Sequence, residues 1–226
     1  MKEKDIIEID YIAKIKNTGD VFDLTNEQKA KKLNIYNKNY LYHPVIIILG
    51  QGFILKALED RLLKINEKNI GKTFTFVFEP KEAFGERNNK LVKTISTSYL
   101  NKKNISPKIG ERIEFEDEKN KKLIGKVISI SSGRVCIDFN NALAGKTVEY
   151  EVSVNKIFKT QEERINAIIK MFIPTNFKEV ETKIKQNAIT ISLPKKLDNA
   201  VIKQLIAKYI NLCIDKIKEI KFYEKY

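Results

Sequence analysis

The 226-residue sequence predicts an α+β protein in which a single amphipathic helix lies across a sheet, and three observations carry that expectation. Residues 7–15 and 147–154 both alternate apolar and polar side chains, the period of a strand with one buried face, and their shared character makes them partners across most of the chain. Residues 53–63 place Ile54, Leu55, Leu58 and Leu62 on one helical face. Beyond residue 157 the patterns run helix, strand, strand, helix, strand, an αββαβ order that suggests a further α+β domain.

In chain order, residues 5–16 read as a strand, 17–20 as a turn by composition, and 21–25 as a short second strand that carries Asp23 between apolar neighbours. Asn26 caps a helical turn reaching Lys32, and the tyrosine- and asparagine-rich stretch 34–43 has too little periodicity for anything but a loop. Residues 45–49 form a continuous apolar run, and Gly50-Gln51-Gly52 then turns into the amphipathic helix. No Lys-Ser/Thr follows those glycines, so a phosphate loop is excluded. Residues 73–79 alternate again, with Phe74, Phe76 and Phe78 on one face, and Pro80 ends the strand before the loop Ala83-Phe84-Gly85.

From residue 86 the composition changes. Short strand-like runs at 91–95, 112–115, 123–131 and 135–139, separated by Asn-, Gly- and Lys-rich turns, predict a β-rich module over 86–139 whose two ends lie close together. The first domain is therefore split, 1–85 with 140–157, and 158–226 is expected to stand as a third unit. Within that unit residues 161–172 and 196–213 read as helices, 178–185 and 188–193 as a hairpin, and 218–223 as a closing strand.

The formal net charge is +13. Residues 1–85 and 140–157 carry 16 basic and 14 acidic side chains, 86–139 carry 12 and 7, and 158–226 carry 14 and 8, so the excess belongs to the middle and the end. A diffuse lysine excess without arginine or aromatic clustering is a poor base reader, and nucleic acid is not the expected partner. No window is apolar enough for a membrane span, and a cytoplasmic protein is expected. Cys136 and Cys213 lie far apart in apolar runs, and His43 is the single histidine. Neither a metal site nor a hydrolytic triad can be assembled, and no cofactor loop is present.

What remains is a concentration of aromatic and branched side chains. Phe22-Asp23, then Leu49-Gly50 leading into residues 54–59, then Ala83-Phe84-Gly85, then Leu143-Ala144-Gly145-Lys146 with Tyr150 in the last strand, resembles in its order the FKBP-type peptidyl-prolyl isomerases. The likeness is closest to long archaeal members related to the SlyD proteins, in which an insert-in-flap domain interrupts the isomerase domain. It covers residues 1 to about 157 and implies a twisted antiparallel sheet wrapped over one helix. The resemblance implies a catalytic pocket of Tyr11, Phe22, Asp23, Leu58, Phe84 and Tyr150, with Val45, Ile54 and Leu55 in its wall and no cofactor. Leu58 stands where the family often has Trp, and Phe84 where it commonly has Tyr. It also implies that the insert captures unfolded or proline-containing polypeptides, with Ile95, Tyr99, Leu100, Ile128 and Ile130 expected on exposed strand edges. The apolar helix face of Val201, Leu205, Ile206, Tyr209, Leu212 and Cys213 suggests a homodimer through the C-terminal domain. A holdase or ribosome-associated chaperone without significant isomerase activity is the alternative reading, and an RNA-binding protein ranks third.

Overall fold

The computed structural model describes residues 1–116, 122–175, 177–185, 187–197, 199–215 and 217–225. They fall into two units, Met1–Phe78 with Val148–Tyr226, and Glu79–Thr147. In the first unit, β1 (Ile6–Ile15) pairs antiparallel with β9 (Val148–Phe158), from Ile6 opposite Phe158 to Ile15 opposite Val148. The two alternating stretches are thus partners. The other edge of β1 is divided between β2 (Val21–Leu24) and β3 (Val45–Ile48), and β4 (Thr73–Phe78) pairs with the far side of β9. Phe78 and Val148 are register partners, so the second unit leaves and rejoins the first at a single rung.

Two helices belong to this part. α1 (Glu27–Lys32) starts at Asn26, whose side chain accepts the Lys29 N–H at 2.9 Å. α2 (Lys56–Leu63) follows a turn in which Gly50 has φ 82°, a left-handed conformation that suits glycine. Leu58 and Leu62, one helical turn apart, are 1% and 0% exposed and give α2 its buried face.

The apolar run at 45–49 is explained by burial on both faces of β3, a condition that replaces alternation with continuity. Ile47 lies opposite Ile7 on one face. Ile46 and Ile48 join Ile6 on the other, within a core completed by the C-terminal elements.

In the second unit, β5 (Val92–Ser96), β6 (Arg112–Glu116), β7 (Lys122–Ser131) and β8 (Arg134–Asp138) form an antiparallel sheet in the order β5-β8-β7-β6. The four strands lie within two residues of their expected positions, but α3 (Thr97–Lys102) was not expected. Ser96 caps it by accepting the Tyr99 N–H at 3.2 Å. Tyr99 and Leu100 are therefore helical and not strand-edge residues. Leu100 is fully buried, and half-buried Tyr99 packs edge-on against Phe115, with ring centroids 6.5 Å apart. Ile95 also leans on this core, while Ile128 and Ile130 are 40% and 37% exposed.

The C-terminal elements are α4 (Gln161–Phe172), β10 (Glu181–Lys185), β11 (Ala188–Pro194), α5 (Ala200–Cys213) and β12 (Glu219–Lys225). A short 3-10 turn, Lys195–Leu197, occupies the start expected for the last helix, and α5 begins after Asn199, which caps it. The expected 186–187 turn lies partly outside the described residues. α5 carries the chain across so that β12 pairs parallel with β11, a connection that needs a crossover. At the start of α4, Thr160 and Glu163 cap each other's backbone. A bond from Lys156, helped by the Thr160 and Lys159 N–H groups, holds the Glu163 carboxyl down to about 2.

Residues 158–226 do not have a core to themselves. Ile165, Ile168 and Ile169 of α4 and Ile206, Tyr209 and Ile210 of α5 close on Ile6, Ile46 and Ile48. Much of the α5 face that suggested self-association is used in this packing, with Ile206, Tyr209 and Cys213 buried and Val201 62% exposed.

Candidate functional site

Asp23, Ala13, Tyr150 and Phe76 occupy one rung across β2, β1, β9 and β4. Ala13 is fully buried between these larger neighbours. The β1–β2 register shifts just after it. Ala13 opposes Asp23 and Lys14 opposes Val21, so Phe22 has no rung of its own. Such a bulge re-aims a side chain. The Phe22 ring stands edge-on to Tyr150, with centroids 6.0 Å apart at 81°. Tyr11, two residues before Ala13 and on its face, lies 6.0 Å from Tyr150, and Phe78 backs Tyr150 at 6.0 Å.

Beside these rings sits one carboxylate with two phenols on it. Tyr11 donates to Asp23 Oδ2 at 2.8 Å, and Tyr40 donates to Oδ1 at 2.7 Å. The backbone of Tyr11 is fixed in turn by Thr25, whose Oγ1 accepts the Tyr11 N–H at 3.0 Å and donates to Asp10 at 2.6 Å. Burial, reinforced by the charge of Asp23, pushes the Tyr11 phenol far above its ordinary value. Burial and the bond to Asp23 raise Tyr40 to about 12, and burial with the Asp23 charge raises Tyr150 to about 12. All three phenols are protonated donors at neutral pH. The Tyr150 hydroxyl has no hydrogen-bond partner among the described residues.

The structure therefore gathers Tyr11, Phe22, Asp23 and Tyr150. Leu58 is buried on the inner face of α2, and Ile54 and Leu55 are half-buried at its start. Val45 faces Ile9 in the register and lines a different hollow, of about 240 Å3, with Phe53, Met171 and Phe172. Phe84 belongs to the second unit, where Gly85 O accepts the Gly145 N–H at 2.8 Å and joins the two loops that carry the family-like motifs.

Tyr40 is the residue that sequence reasoning missed. It lies in the aperiodic 34–43 stretch, where Tyr36 stacks on Tyr42 at 5.6 Å, Tyr40 meets Tyr42 at 4.8 Å, and Leu33, Tyr36, Tyr40 and Leu41 are each more than 40% exposed. The high tyrosine content was the available signal.

Comparison with known proteins finds relatives in one enzyme family. A family model described as the FKBP26 IF domain matches residues 93–143. A short-type peptidyl-prolyl cis-trans isomerase from Methanocaldococcus jannaschii is 25% identical over 163 residues, covering 72% of this chain and 98% of that protein. A probable FKBP-type 16 kDa peptidyl-prolyl cis-trans isomerase from Pseudomonas fluorescens is 32% identical over 111 residues, 49% of this chain and 71% of its own. The FKBP-type isomerase SlyD of Helicobacter pylori is 25% identical over 134 residues, 59% of this chain and 70% of its own. No helix among the described residues is long and apolar enough to cross a membrane. With a sheet-and-helix fold of the expected topology, an aromatic cluster beside a phenol-held carboxylate and an insert at one rung, the chain belongs to the FKBP-type peptidyl-prolyl cis-trans isomerases that carry an insert-in-flap domain.

Proposed function

We propose that the enzyme isomerises X-Pro bonds among Tyr11, Phe22, Leu58 and Tyr150, and that its insert holds unfolded chains near that site. The observation that carries the reading is the ring cluster around Tyr150 next to an Asp23 whose two oxygens are both engaged. Rotation about the prolyl amide is opposed by resonance, with a barrier of ~18–20 kcal/mol, and takes tens to hundreds of seconds unaided. The planar amide is the more polar state, so removing water weakens it more than the twisted one, and an apolar site favours the transition state differentially. No nucleophile is needed. The Tyr150 hydroxyl, without a hydrogen-bond partner among the described residues, serves as a donor to the substrate carbonyl, which offsets the absence of a hydroxyl on Phe84. Asp23 fixes the Tyr11 ring that forms one wall. For Phe84 the support is the Ala83-Phe84-Gly85 motif itself.

Capture by the insert rests on Ile128 and Ile130, exposed on the part of β7 beyond its pairing with β6. An extended chain can add to such an edge. Holding a client there raises the effective concentration of its prolines at the pocket. Proline-limited refolding of a denatured protein, measured beside isomerisation of a short peptide, tests both parts. Deleting residues 88–137 is expected to depress refolding catalysis far more than peptide turnover. Equal losses would remove the capture role, and wild-type rates equal to buffer would remove the pocket.

A further inference from the structure

A row of charge crosses three strands of the insert sheet. Arg112 of β6 opposes Lys126 of β7, and Lys126 opposes Asp138 of β8. Directly paired positions share a face with Cβ atoms about 5 Å apart, and like charges placed there destabilise the pair. The chain nevertheless sets two cations opposite each other.

Asp138 does not relieve them, because it is already engaged. Arg87 donates to its Oδ2 from Nε at 3.1 Å and from Nη2 at 2.8 Å, and Asn140 donates to Oδ1 from its backbone N–H at 2.9 Å and its side chain at 2.7 Å. Burial acts to raise this carboxyl, yet those bonds outweigh it and hold the group below its ordinary range. Among the described residues, no carboxylate lies within ion-pair reach of Arg112, Lys126 or Lys146. These three cations and the Arg87–Asp138 pair line one hollow of about 410 Å3, with space left by Gly110, Ala142 and Ala144. The lining carries N–H donors in excess of acceptors and, among the described residues, no aromatic ring on which a base could stack.

We propose that this hollow binds an acidic stretch of extended polypeptide. Side chains on one face of an extended chain recur about every 6.6 Å, so carboxylates at alternate positions meet cations set on neighbouring strands. A flexible polypeptide is also the substrate class of the enzyme family, and the choice of occupant rests on that membership. The site takes charge, whereas the proposed capture surface at Ile128 and Ile130 takes apolar side chains.

Fluorescence anisotropy of a labelled peptide with Glu at alternate positions, titrated with the full chain at low and high salt, tests the site against a Gln-substituted twin. The acidic peptide is expected to bind at least ten-fold tighter, with the difference shrinking as salt screens it. The double variant Arg112→Gln with Lys126→Gln removes two exposed, mutually repelling charges, so it is expected to retain the parent's Tm while losing most of that preference. Equal binding of the two peptides, or an acidic peptide held as tightly by the double variant, would overturn the proposal. Displacement by an oligoribonucleotide of equal charge at lower concentration than by unlabelled acidic peptide would overturn the polypeptide assignment. Isomerisation of a neutral prolyl peptide by the double variant is expected to match the parent. If refolding catalysis fails while acidic-peptide binding holds, the capture reading falls and this one stands.

Discussion

The Tyr40 hydroxyl reaches back seventeen residues to bond Asp23 Oδ1 at 2.7 Å, so the carboxylate beside the aromatic cluster is gripped from both ends of its fork. The exposed stretch around Tyr40 is thereby attached to the site. Tyr40→Phe keeps the ring and deletes the bond. A partly exposed bond to a charged acceptor contributes on the order of 1 kcal/mol, so Tm is expected to fall by about 2–4 °C, and kcat/KM on a short prolyl peptide by up to about five-fold. An unchanged kcat/KM would show that Tyr11 alone suffices to hold Asp23.

Ala13 separates Asp23 from Tyr150 on their common rung. Ala13→Leu adds three carbons at a position that is already fully buried. Overpacking costs about 1–3 kcal/mol, and peptide isomerisation is expected to fall by more than the loss of folded protein explains. Activity that tracks only the folded fraction, followed by circular dichroism, would show that the packing at Ala13 does not shape the site.

Alkaline titration has a defined sign. The Tyr150 phenol stays protonated in the folded chain to about pH 12, whereas a tyrosine in the unfolded chain titrates near 10. Between these values the native state binds the extra proton, so stability is level below about pH 10 and falls above it. Tyr150→Phe is expected to reduce that fall by up to ~1.4 kcal/mol per pH unit, as read from urea unfolding at pH 9 and pH 11. Identical slopes in the two proteins would contradict the burial of this hydroxyl.

Gly125, in β7, has no room for a side chain. A Cβ there would lie 2.5 Å from Ile137 Cγ2 and 2.8 Å from Phe139 Cδ1. Gly125→Ala is expected to destabilise the insert by about 1–3 kcal/mol. Hydrogen exchange should locate the loss in β7 and β8, with β1 and β9 still protected. Uniform loss of protection would mean that the two units unfold together.

The isomerase sheet was legible because its strands alternate and because two distant stretches shared one pattern. The same reasoning missed α3, which is only six residues long and contains Thr97 and Tyr99, residues equally at home in strands. It placed Leu100 on an edge for the same reason. Tyr11, Phe22, Asp23 and Tyr150 could be named from the family resemblance, but Tyr40 could not, since nothing periodic in an irregular loop indicates where a phenol will reach. The continuous apolar run at 45–49 announced a buried strand without saying what buries it. Its cover lies in α4 and α5, more than a hundred residues later.

That late cover bears on synthesis at the ribosome. Ile6, Ile46 and Ile48 emerge early, yet the side chains of α5 that close over them end near Cys213. At 5–20 residues per second, those isoleucines wait on the order of ten seconds or more with one flank wet. A prolyl isomerase thus passes through an interval in which it is itself a sticky, unfinished chain. Shortening the gene from its 3′ end would make that interval permanent.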